Sequence, residues 1–188
     1  ITKKTSKGIE LRVHPTLIPS RRLIANVEGV MNAVVVKGDA VGPTLYYGPG
    51  AGAEPTASAV VADLVDVTRM HTADSKQRVP HLGVQPNLLL DIPILPMEEV
   101  VTSYYLRLQA LDRPGVLADI TCILAELEIS IDAMVQKEPK KNEEQVDIIV
   151  LTHLSVEKNI NAAIAKIEEL PSVMGEITRI RLEELSSK

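Results

Sequence analysis

The chain has 188 residues, a net charge of −5, 45% apolar residues and 24% charged ones. That balance is ordinary for a globular protein and excludes disordered, collagen-like and coiled-coil chains. Phe and Trp are absent and the only aromatics are Tyr46, Tyr47, Tyr104 and Tyr105, so an acidic chain without basic-aromatic stacking platforms is not a nucleic-acid binder.

Cys122 is the single cysteine. It allows no intrachain disulfide and no cysteine-rich zinc site, and a reducing, cytoplasmic setting is the default. No apolar run reaches the ~18–20 residues of a membrane helix, since Asp91 and Pro93 interrupt the stretch from Leu88 to Pro96. Lys3, Lys4 and Lys7 are not followed by the apolar core of a secretory signal. The first residue is Ile1 rather than Met, and a piece of a longer protein is expected.

In chain order, Ile9, Leu11 and Val13 alternate with Glu10, Arg12 and His14, the period-2 pattern of a half-buried strand. Val30 to Val36, the turn Lys37-Gly38-Asp39 and Thr44 to Tyr47 predict a hairpin. A glycine-rich turn, 48–52, leads to a helix over about 55–70, with Ala57, Val60, Val61, Leu64 and Val67 at helical spacing. Pro55 fits its first turn. Pro80, Pro86, Pro93 and Pro96 mark a connector over 71–97, with a short strand at Leu88–Leu90. Charge shifts there too: residues 1–96 hold 10 basic and 8 acidic residues, residues 97–188 hold 10 and 17.

The second part is more regular. Tyr104, Leu106, Leu108 and Ala110 read as a strand, and Asp112-Arg113-Pro114-Gly115 as a turn. A helix follows on Val116, Leu117, Ile120, Ile123, Leu124 and Leu127. Ile129, Ile131, Ala133 and Val135 alternate as a strand, 137–144 is a charged hairpin loop, and Val146, Ile148 and Val150 form another strand. Ser155 is the expected N-cap of a helix with Ile160, Ala163, Ile164 and Ile167 inward; Pro171 ends it, and Ile177, Ile180 and Leu182 belong to a last strand. The order βαββαβ is the ferredoxin-like arrangement, so the fold class is α+β. Such a unit leaves sheet edges to cover and is expected to pair with a copy of itself.

Two runs have chemical potential. Gly48-Pro49-Gly50-Ala51-Gly52 lets backbone approach a ligand closely at a helix start, although it is not the dinucleotide fingerprint, and a flexible strand-to-helix turn explains it equally. Asp112 to Gly115 precedes a second helix start, where the amides of Val116 and Leu117 offer a place for a carboxylate and Asp112 one for an ammonium group. Plain helix-initiation chemistry accounts for the same residues. His14, His71, His81 and His153 do not cluster with carboxylates, and no metal is expected. Cys122 reads as buried filler, and Glu143-Glu144 and Glu183-Glu184 as solvated pairs.

Taken together, Glu10 to Pro19, Gly29 to Val34, and Tyr46 to Gly52 with Pro55 to Val60 resemble bacterial homoserine dehydrogenase, and the part from Ser103 onward resembles an ACT domain, a small regulatory module. The resemblance implies residues 1–70 as the C-terminal part of a mixed-sheet catalytic domain, 71–97 as a linker and 98–188 as the ACT domain. It implies an enzyme passing a hydride between NAD or NADP and the homoserine/aspartate 4-semialdehyde pair, in threonine, methionine and isoleucine synthesis. Its catalytic lysine is expected upstream of Ile1, so no catalytic residue is assigned here and the chain alone is expected to be inactive. The resemblance implies Gly52, with Gly50 and Ala51, at the cofactor. It also implies threonine as effector on Asp112, Gly115, Val116 and Leu117, with Ser130 and Asp132 closing the site across a homodimer or within a homotetramer. Gly115→Asp is expected to weaken effector binding by crowding and like charge. A ligand-free oligomerisation block and a free-standing amino-acid sensor are the alternatives.

Overall fold

The computed structural model describes residues 1–71, 73–74, 80, 83–137 and 144–185. The strands and helices in chain order are β1 (Thr2–Lys4), β2 (Ile9–Leu11), β3 (Thr16–Leu17), β4 (Met31–Gly38), β5 (Gly42–Pro49), α1 (Ala53–His71), β6 (Val101–Leu111), α2 (Val116–Glu126), β7 (Ile131–Gln136), β8 (Gln145–Thr152), β9 (Ser155–Val156), α3 (Glu157–Glu168) and β10 (Val173–Leu182). They form two compact units, one of residues 1–18 with 92–184, the other mainly Pro19–Asp91.

The first unit is built on β6. Its alternate residues Thr102, Tyr104, Leu106, Leu108 and Ala110 all point inward and are at most 3% exposed. Antiparallel neighbours β10 and β8 flank it, and β7 pairs with β8, giving the order β10-β6-β8-β7 of the expected ferredoxin-like sheet. Helix α2 adds Val116, Ile120 and Leu124 to one sheet face, and α3 adds Ile160, Ala163 and Ile167. Each such fully buried aliphatic side chain contributes roughly 1.5–3 kcal/mol. The sheet does not end at β10: β3 runs parallel to its last residues, with Thr16 opposite Arg181 and Leu17 opposite Leu182.

Several sequence expectations are corrected here. The strand expected over 9–13 is shorter and its faces are reversed: Glu10 and Arg12 are buried at 5% and 4% exposure, while Leu11 and Val13 face out. The charged side faces Glu183, which is ion-paired rather than solvated. Leu88 ends a short 3-10 turn, Pro86–Leu88, in place of a strand. Val156, not Ser155, occupies the N-cap of α3, because Ser155 is drawn into β9 opposite Thr102. In β7 a register shift between Ile131 and Ala133 turns Met134 toward the core and leaves Val135 exposed. Cys122 is exposed. Residues 138–143, which include most of the charged loop and Glu143, lie outside the described residues, as does His81.

In the second unit, β4 and β5 form the expected hairpin, in register from Met31 opposite Pro49 to Gly38 opposite Gly42. Helix α1 follows with no buried residue. No described helix is long and apolar enough to cross a membrane.

Candidate functional site

The start of α2 forms one wall of a cavity of about 130 Å³, lined by Leu111 to Leu117, Gln136, Val146 and Ile148. One water needs ~10–15 Å³ on this measure, so the space suits a single small molecule. Strand β6 ends at the cavity floor, where the Leu111 amide donates to Ser172 O at 2.8 Å and the Asp112 amide to Glu144 O at 2.9 Å. These bonds fix the turn that the chain makes before α2.

Four of the six expected effector residues, Asp112, Gly115, Val116 and Leu117, meet at this cavity. The Val116 amide already donates within the turn to Arg113 O at 3.4 Å, so Leu117 is the better donor for an anion at the positive helix end. Gly115 has φ +95°, the left-handed region that a side chain adopts only at a cost. A Cβ there would meet no protein atom within 4 Å, so the cost of a side chain to the fold itself is backbone strain. Gln136 was not singled out from sequence; its Nε2 donates to Asp112 Oδ1 at 2.9 Å and holds that carboxylate. Its outward place at the end of an alternating strand carried no distinguishing signal. Ser130 and Asp132 do not line the cavity of their own chain: Ser130 O accepts the His153 amide, and the Asp132 carboxylate lies 3.8 Å from His153 Nε2.

The glycine turn precedes α1. Gly50, Ala51 and Gly52 are all exposed. Gly52 has φ +130°, and its carbonyl accepts the Thr56 amide at 3.1 Å. Gly50 donates to Val30 O at 3.1 Å and lies so close to Asn32 that a Cβ would collide with it. Both glycines therefore have local structural reasons.

A third cluster was missed from sequence. Glu157, 2% exposed at the first turn of α3, accepts the Tyr104 hydroxyl at 2.7 Å and Arg181 Nε at 2.9 Å, and Arg179 Nη1 lies 3.1 Å away. Burial pushes its carboxyl upward, but the hydrogen bonds from Arg181 and Tyr104 and the two guanidinium charges outweigh that, and the net shift is downward. Burial and the bond to Glu157 raise the Tyr104 hydroxyl. The available signal was Tyr104 at an inward strand position, where a phenol needs a polar partner.

Residues 1–65 match the family model for homoserine dehydrogenase, and residues 104–172 match that for the ACT domain. The homoserine dehydrogenase of Pseudomonas aeruginosa is 58% identical over 99% of this chain and 43% of its own length. That of Methylobacillus glycogenes is 59% identical over 99% of this chain and 44% of its own length. A crystal structure of a homoserine dehydrogenase from Thiobacillus denitrificans aligns with TM-score 0.89 and 72% identity, over 98% of this chain and 41% of that one. The chain thus spans less than half the length of these relatives. Residues 1–65 thus match the homoserine dehydrogenase model and residues 104–172 the ACT-domain model, in this order, and nearly all of the chain is similar to less than half of each of these homoserine dehydrogenases.

Proposed function

We propose that these residues are the C-terminal part of a cytoplasmic homoserine dehydrogenase of amino-acid biosynthesis: 1–70 complete the catalytic domain, 71–97 connect, and 98–188 regulate. When bound, NAD or NADP supplies the hydride chemistry that interconverts homoserine and aspartate 4-semialdehyde. The exposed, side-chain-poor turn of Gly50, Ala51 and Gly52 fits one edge of such a cofactor. It carries no charged or hydrogen-bonding side chain, so it forms a lip rather than a complete site. The isolated chain should therefore show no homoserine oxidation; turnover by these residues alone would contradict this reading.

The regulatory ligand is a small amino acid, threonine by resemblance. The supporting observation is that the cavity at α2 sets Asp112, braced by Gln136, against the helix start at Leu117. An acid beside a positive dipole end suits a molecule carrying an ammonium and a carboxylate on one carbon. Ser130 and Asp132 join from a second copy: β7 is the last strand of its sheet among the described residues, and antiparallel pairing of two such edges along their full length would set the start of β7 in one copy near the end of β7 in the other, where Gln136 stands. Thermal unfolding with L-threonine tests the ligand, since binding at ~100 Kd adds about 2.7 kcal/mol to the folded state. Asp112→Asn should abolish that gain. Light scattering tests the pairing: dimers with no threonine-dependent thermal shift would favour a ligand-free oligomerisation block.

A further inference from the structure

Residues 1–18 are held to the regulatory sheet by charge and backbone bonds rather than by apolar burial. Leu11, Val13 and Leu17 are 49%, 103% and 39% exposed, whereas the buried side chains of the segment are those of Glu10 and Arg12. Two parallel register pairs, Thr16 with Arg181 and Leu17 with Leu182, join it to β10, and the Glu183 amide extends them by donating to Leu17 O at 3.0 Å. So short a pairing cannot by itself offset the cost of ordering the segment. The rest comes from two ionic clusters at the end of β10, on Arg181 and on Glu183 just past the strand. From the segment's side, Arg12 lies 2.5 Å from Glu10 and 3.2 Å from Glu183, and Lys3 reaches Glu183 at 2.7 Å. From the core side, Glu157 holds the side chain of Arg181, whose backbone stands between Thr16 and Tyr104.

We propose that residues 1–18 form a strap with an electrostatic lock. Glu157 is a positioning residue that fixes the end of β10 at Arg181 so that it receives residues 16–17, and Arg12 closes the lock between Glu10 and Glu183, the residue that follows the strand. A buried charge that loses its partner is strongly unfavourable, so the lock opens as a whole rather than bond by bond. The strap then leaves together with its second anchor, where the Ile9 amide donates to Pro93 O and the Leu95 amide to Ile9 O. The four strands and two helices of the ACT domain keep their core, because no strap residue belongs to it. The strap runs straight into Pro19, where the unit carrying the hairpin and glycine turn begins.

Amide hydrogen exchange on the whole chain tests this. The reporters are the amides of Glu183, which bonds Leu17 O, and Ile9, which bonds Pro93 O. The controls are Leu108 and Ile148 in the core strands. Glu157→Gln and Arg12→Met should each speed exchange at both reporters by about 10-fold or more, with the controls changing less than about 2-fold, since local opening is separable from global unfolding. Arg12→Lys should restore part of the protection. Unchanged reporters in Arg12→Met, or an equal rise at reporters and controls, would overturn the lock. Arg12 lies outside the core, so its variants carry the test even if Glu157→Gln fails to fold.

Discussion

At the level of single residues, the buried Glu157 cluster makes the clearest energetic claims. Tyr104→Phe removes one hydrogen bond to a charged acceptor and should cost about 1.5–3 kcal/mol in urea unfolding. The Glu157 carboxyl is lowered in the fold, so the unfolded chain binds its proton more readily than the native one. Its contribution is present above the unfolded value of about 4.3 and is lost as pH falls through the lower folded value. Glu157→Gln should remove that component, so comparing stability at neutral and strongly acid pH should show a smaller acid loss in the variant. The glycine turn gives a second test. Gly50→Ala should force the exposed Asn32 side chain to turn aside at a cost under about 1 kcal/mol in urea unfolding, and Asn32→Ala should make the substitution at Gly50 no easier by more than that amount. A larger loss in Gly50→Ala, relieved by Asn32→Ala, would contradict this.

At the level of elements, the central strand and both helices of the ACT domain were legible because one face of each is buried without interruption. Tyr104 to Ala110 alternate at period 2, and Ile160, Ala163 and Ile167 recur at helical spacing, as a closed core demands. The failures share a cause, since each depends on a partner distant in sequence. Glu10 and Arg12 are buried because Glu183 stands opposite, a separation of more than 170 residues that no local pattern reveals. Ser155 lost its capping role to pairing with Thr102, more than 50 residues earlier. In β7 a single irregularity exchanged the faces, which alternation alone cannot locate. That exchange is testable. Met134→Ala should cost about 2 kcal/mol, near the low end for a partly buried site, whereas Val135→Ala should stay within about 0.5 kcal/mol. Equal costs in urea unfolding would place the register shift elsewhere.

At the level of the whole molecule, the two units differ in kind. Residues 1–18 and 92–184 enclose a core, while none of the described residues between Pro19 and Asp91 is buried. Val60, Val61, Leu64, Val65 and Val67 along α1 are each more than 40% exposed, and a helix with an uncovered apolar face is marginal in water. The chain spans less than half the length of the Pseudomonas aeruginosa relative. The glycine turn was legible as a motif, and its placement beside a cofactor rests on resemblance. The cavity at the start of α2 was legible through four of its lining residues, Asp112, Gly115, Val116 and Leu117, whereas Gln136, which bonds Asp112, emerged only once β7 was placed. The most direct measurement of the regulatory claim is titration calorimetry of the chain with L-threonine, alongside Gly115→Asp. Saturable binding that the substitution weakens is expected, through strain at φ +95° and a second negative charge beside Asp112. Absence of any threonine heat, or an affinity indifferent to the substitution, would contradict a ligand site at the start of α2.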